Sequence, residues 1–122
     1  MKILLLEDDA MLNEIMREHL EKNKHQVRSS CCAIQVEQIL HEQSFDLLII
    51  DVNVSNIDGC NLLKTLRDQD IQTAAIFITS TTMFQDTKKD INSPCNDYLK
   101  KPFALKDLDS RIKKIQILSN VA

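Results

Sequence analysis

Residues 45–51 read Phe-Asp-Leu-Leu-Ile-Ile-Asp, an apolar run closed by a single carboxylate. Between Leu47 and Ile50 there is no polar position, so neither face of this stretch suits water. A strand that is apolar on both faces belongs in the middle of a parallel sheet covered by helices on each side. Three other short runs have the same form. Residues 2–6 (KILLL) stop on Glu7, Asp8 and Asp9, residues 74–78 (AAIFI) stop on Thr79, and a brief run at 97–99 leads into Lys101-Pro102.

Between these runs the apolar spacing changes from strand-like to helical. A helix is expected over 10–23 with Leu12, Ile15, Met16 and Leu20 on one face. A weak strand is expected at 26–29, and Ser30 can cap a helix running to 43 with Ala33, Val36, Ile39 and Leu40 inward. Asp58-Gly59 supplies a turn before a short helix lined by Leu62, Leu63 and Leu66. The last helix is expected over 105–118, with Leu105, Leu108, Ile112 and Ile115 facing the core. Residues 84–92 should hold one more helix, although Phe84 and Ile91 are its only large apolar residues. The result is an α/β, doubly wound, five-stranded parallel sheet in the flavodoxin-like order 2-1-3-4-5, flanked by five helices. It forms one domain over 1–118, with 119–122 a tail or the start of a linker.

Composition narrows the function. With 122 residues, 43% hydrophobic and 27% charged, the chain has the make-up of a soluble globular protein. No run approaches the ~20 apolar residues needed to cross a bilayer, and the start does not read as a signal peptide. A single glycine excludes long glycine-rich phosphate loops, and a formal net charge of −3 gives no overall attraction to nucleic acid. Cys31, Cys32, Cys60 and Cys95 have no zinc-site spacing and read as reduced packing residues in a cytoplasm.

In an open parallel sheet, ligands bind outside the carboxyl ends of the strands. That rule brings Glu7, Asp8, Asp51, Thr79 and Lys101 to one crevice. Clustered carboxylates are unfavourable unless a cation offsets them. Mg²⁺ fits: it takes one or two carboxylates, retains water and brings a phosphate oxygen into its octahedron. Asp51 ends the central strand and is the candidate nucleophile for an aspartyl-phosphate. Lys101 would meet the phosphoryl charge, and Thr79 offers a hydroxyl to the same oxygens.

The stretches LLLEDD (4–9), DLLIID (46–51), FITS (77–80) and DYLKKPF (97–103), at these intervals, resemble the response-regulator receiver domains of two-component signalling (CheY-like) over essentially the whole chain. The resemblance implies that Asp51 is the phosphoacceptor and that Glu7 and Asp8 hold Mg²⁺, Asp8 directly and Glu7 through water. It also implies that the backbone carbonyl of Asn53 completes the metal site, that Thr79 and Tyr98 are the switch pair, and that Lys101 binds phosphate and precedes a cis proline. The phosphoryl donor would be a cognate histidine kinase. Such a domain catalyses only its own phosphorylation and dephosphorylation and is not otherwise an enzyme.

The tail LKKPFALKDLDSRI is similar to OmpR/PhoB-type transcription factors. In those, phosphorylation promotes a homodimer through the fourth helix, fifth strand and fifth helix, and residues at the positions of Asp97 and Arg111 pair across the interface. An intrachain or solvated pair is the alternative for these two. DNA would be reached only through an effector domain that this chain lacks, and the location would be cytoplasmic. Ser55 and Pro94-Cys95-Asn96 depart from the family pattern, and the altered loop at Ser55 with the sparse helix at 84–92 motivates a rival reading, a stand-alone or phosphorylation-independent interaction module on the same fold.

Overall fold

A computed structural model describes residues 1–30, 32–52, 59–79 and 97–121. Among them, five strands form one parallel sheet: β1 (Lys2–Leu6), β2 (Gln26–Ser30), β3 (Leu47–Asp51), β4 (Ala74–Thr79) and β5 (Asp97–Lys100). Their order is β2-β1-β3-β4-β5, as the sequence implied. Four helices are described: α1 (Ala10–Lys22), α2 (Ala33–Glu42), α3 (Gly59–Asp68) and α4 (Leu105–Val121). The helix expected at 84–92 lies outside the described residues, as do Asn53 and Ser55. The last helix continues to Val121, beyond the expected end at 118.

Strand alternation divides the core into two layers. On one face Leu4, Leu6, Leu48, Ile50, Ala75 and Phe77 meet Val36 and Ile39 of α2 and Leu62, Leu63 and Leu66 of α3. On the other, Ile3, Leu5, Leu47, Ile49, Ile76 and Ile78 meet Met16 and Leu20 of α1 and Leu108, Ile112 and Ile115 of α4. Helices therefore cover both faces, which is why β3 has no polar residue before Asp51.

Two local expectations need correction. Ile15 is exposed, because the buried stripe of α1 runs through Leu12, Met16 and Leu20, and Ile15 falls just off it. Ser30 is not the cap of α2 but the buried end of β2. Its hydroxyl accepts from Cys32 N–H at 3.1 Å and lies 2.9 Å from Gln35 Oε1, while Cys32 occupies the cap position without a side-chain bond.

The ends of α1 and α3 are built alike. After α1, Lys24 adopts φ 69°, Lys24 N–H reaches Glu21 O and His25 N–H reaches Leu20 O. After α3, Asp70 adopts φ 66°, with Asp70 N–H on Arg67 O and Ile71 N–H on Leu66 O. Both are Schellman closures, made here without the glycine that usually takes the left-handed position.

Candidate functional site: an acidic cluster at the strand ends

Each site residue is delivered by the end of a strand. Glu7 follows β1 and extends its pairing, since Glu7 N–H donates to Ser30 O at 3.1 Å. Asp51 is the last residue of β3 and is held in register opposite Ile78. Lys101 follows β5, its N–H donating to Thr79 O at 2.7 Å, and the Lys101-Pro102 bond is cis as expected.

This framework brings three carboxylates together. One oxygen from each of Glu7, Asp8 and Asp51 lies within 4.8 Å of the others. Glu7 is 1% exposed and Asp51 2%, whereas Asp8 faces solvent. Asp9, the last member of the acidic run, serves α1 instead: its Oδ1 accepts from Met11 N–H at 3.0 Å and Leu12 N–H at 3.2 Å. As an N-cap it satisfies two donors that the first helical turn leaves open.

Lys101 is the cation of the cluster. Its Nζ lies 2.7 Å from Asp51 Oδ2 and 3.2 Å from Glu7 Oε1. Burial works against the ammonium, but the bond to Asp51 and the charges of Asp51 and Glu7 outweigh it and raise Lys101 above its ordinary value. For Glu7 the balance runs toward the neutral acid: burial first, then the adjoining Asp51, push its carboxyl up to about 7 from 4.5. One ammonium is thus too little charge for the carboxylates around it.

The donor set suits a hard divalent cation. All three side-chain donors are carboxylate oxygens, the ligands that Mg²⁺ and Ca²⁺ prefer. Glu7 Oε1 is buried and makes no hydrogen bond, the ammonium 3.2 Å away meeting it at ion-pair distance only. A buried carboxylate oxygen met by one shared ammonium alone is incompletely satisfied, and a divalent cation would offset that cost.

Thr79 and Tyr98 occupy the opposite face of the sheet. Thr79 is fully buried and continues the face of Phe77, and Tyr98, paired with Phe77 in the register, packs its ring edge-on against it at 6.0 Å and 68°. Asp97 and Arg111 pair within the chain: Arg111 Nη1 lies 3.1 Å from Asp97 Oδ1, which also accepts Tyr98 N–H at 2.8 Å. Asn53, the expected backbone ligand, lies outside the described residues.

Sequence reasoning missed two connections. Asn13 Nδ2 donates to the carbonyl of Glu7 at 3.0 Å. His19 Nε2 meets both oxygens of Asp109, at 2.8 and 2.9 Å, and so joins α1 to α4. The first left a faint signal, a lone amide one helical turn after the Asp9 cap; the second spans 90 residues and left none.

The transcriptional regulatory protein CrdR of Helicobacter pylori is 36% identical over 127 residues, covering 98% of this chain and 60% of that protein. The response regulator protein PmrA of Pseudomonas aeruginosa is 31% identical over 115 residues, covering 94% and 52%. The chain thus spans little more than half the length of these curated relatives. Among solved structures, the receiver domain of the Francisella response regulator 1452 superposes with a TM-score of 0.88 over 97% of this chain and 98% of that one, at 24% identity, which speaks for the fold alone. Residues 3–113 match the response regulator receiver domain family, and with that match covering most of its length the chain belongs to this family.

Proposed function

We propose that Asp51 accepts a phosphoryl group from the phosphohistidine of a histidine kinase, and that the modified domain switches a transcriptional output. The observation that carries this reading is the 2.7 Å bond from Lys101 Nζ to Asp51 Oδ2 inside the cluster of Glu7, Asp8 and Asp51. A buried strand-end carboxylate, beside other carboxylates and one ammonium, is suited to phosphoryl transfer. Glu7, Asp8, Asp51 and the carbonyl of Asn53 would hold Mg²⁺. Bound there, the ion would neutralise carboxylate and phosphoryl charge.

The chain's own residues then have distinct tasks. A carboxylate oxygen of Asp51 attacks phosphorus as the bond to the donor nitrogen breaks. Lys101 keeps its ammonium at the acceptor and meets the phosphoryl oxygens as a point charge. Thr79 turns its hydroxyl to a phosphoryl oxygen, and Tyr98 follows into the space released. One hydrogen bond to a charged group is worth about 1.5–3 kcal/mol, enough for a population shift of about 10- to 150-fold.

The same reading assigns the output. The chain would act in the cytoplasm as the receiver of an OmpR/PhoB-type regulator, a signalling protein that catalyses its own phosphorylation and dephosphorylation only. Phosphorylation would promote a homodimer through β5, α4 and the helix expected at 84–92, with Asp97 and Arg111 at that surface, and DNA would be met by an effector domain. The test is amide NMR with Mg²⁺ and BeF₃⁻, together with phosphoryl transfer from a histidine kinase. Shifts around Asp51 and Tyr98, and loss of labelling in Asp51→Ala, are expected. An unchanged wild-type spectrum would favour the phosphorylation-independent module, and acid-labile phosphate retained in Asp51→Ala would indicate another carboxylate.

A further inference from the structure

We infer that Asn13 is a positioning residue for the metal-binding carboxylates, acting through the backbone that joins Glu7 to Asp8. The inference rests on the reading that this cluster binds Mg²⁺. Asp8 is exposed and lies in the segment between the end of β1 and the start of α1. Bonds from the N-cap and first turns of α1 help to hold this segment. Asp9 N–H reaches Glu7 Oε2 at 3.2 Å, Asn13 N–H reaches Asp9 O at 2.9 Å, and Asn13 Nδ2 reaches the Glu7 carbonyl at 3.0 Å.

The last of these bonds is the one that bears on Asp8. The Glu7 carbonyl and the Asp8 N–H belong to one planar peptide unit, so fixing the carbonyl fixes that plane. The plane in turn fixes the position of the Asp8 Cα and the N–Cα axis from which its side chain departs. Asn13 is anchored on a helix whose Met16 and Leu20 are fully buried, so it acts from a rigid support. Partners of this kind, one bond removed from a ligand, commonly govern metal affinity. Asp9 cannot substitute, because its carboxylate already caps α1 and carries no donor.

The decisive variant is Asn13→Leu. Leucine keeps the size of asparagine and favours the helix more, but it leaves the Glu7 carbonyl without this donor, so a purely structural role predicts lower thermal stability with unchanged Mg²⁺ binding. The inference predicts a split. Without Mg²⁺ the melting temperature changes little, the gain in helix propensity offsetting the lost bond, while the Mg²⁺ dissociation constant from an amide NMR titration increases about 3- to 10-fold, the worth of one well-placed hydrogen bond or somewhat more. The Asp8 amide signal should also move in the metal-free variant. As a second readout, acetyl phosphate labelling should need correspondingly more Mg²⁺ for half-maximal rate, with the rate at saturating Mg²⁺ kept. Asn13→His, which retains a ring N–H donor near the same reach, should recover part of the affinity.

A dissociation constant within twofold of wild type in Asn13→Leu, with the Asp8 signal unmoved, would overturn the inference. Wild-type protein that fails to bind Mg²⁺ at all would overturn the metal reading itself, and this role with it.

Discussion

Replacing Glu7 with Gln should stabilise the metal-free protein at pH 8 and leave it nearly unchanged at pH 5. Glu7 is 1% exposed, shares its site with Asp51 and ionises near 7 instead of 4.5. Between those values the folded protein holds a proton that the unfolded chain has released, so stability falls as pH rises through the window. Each pH unit is worth about 1.4 kcal/mol, which makes the full cost of ionising Glu7 up to about 3 kcal/mol at pH 8. Glutamine carries no charge and keeps a donor that can face Asp51, much as the protonated carboxyl does, so it removes the cost without opening a cavity. Urea unfolding in EDTA from pH 5 to pH 8 measures this directly: the wild-type curve should decline with pH and the variant curve should stay flatter. Curves that run parallel would refute the argument, because Glu7 would then ionise in the folded protein as it does in the unfolded one. The same proton competes with a cation, so Mg²⁺ affinity should rise by up to about tenfold per pH unit until about pH 7 and level off above it.

Lys101→Met leaves two buried carboxylates without their ammonium, and at pH 8 without Mg²⁺ it should cost about 2–4 kcal/mol, less at pH 5 where Glu7 is protonated; a loss independent of pH would argue that the methylene stem matters more than the charge. Lys24→Gly relieves a left-handed residue in the closure of α1 and should stabilise by about 0.5–1 kcal/mol in thermal unfolding, whereas destabilisation would show that the lysine side chain holds that corner. Leu63→Ala empties a fully buried position beneath α3 and should cost about 2–5 kcal/mol by denaturant titration; a cost below 1 kcal/mol would mean that this layer collapses to fill the space.

The strands were legible because burial on both faces forces an unbroken apolar run, and β1, β3 and β4 each carry one. Helix ends were harder to see. The usual stop signal is a glycine in the left-handed position, and here Lys24 and Asp70 fill it, so nothing in the residue types marks the closures of α1 and α3. Ile15 misled for a related reason, since a residue one position off a narrow stripe has the right spacing but the wrong side. Within the site, the charged residues were legible because the ends of parallel strands converge by topology. Asn13 was not, because an amide that reaches back six residues to a carbonyl leaves no periodicity and no charge pattern. The intrachain pairing of Asp97 with Arg111 was open in the sequence for the same reason: complementary charges show that a pair can form, and only the fold shows where.

Strand alternation also explains why the charged cluster and the Thr79–Tyr98 pair lie on opposite faces yet are joined through one residue. Glu7 continues the face of Ile3 and Leu5, and Asp51 continues that of Leu47 and Ile49, so both emerge on the side covered by α1 and α4. Thr79 continues the face of Ala75 and Phe77, on the side of α2 and α3, where Tyr98 packs against the Phe77 ring. Lys101 joins the two halves: its backbone N–H is bonded to the Thr79 carbonyl while its ammonium is bonded to Asp51. A shift of one residue in the pairing of β3 with β1 and β4 would turn Asp51 to the opposite face and away from Glu7. The apolar run that buries β3 therefore does more than build the core: by fixing register, it fixes which carboxylate faces Lys101.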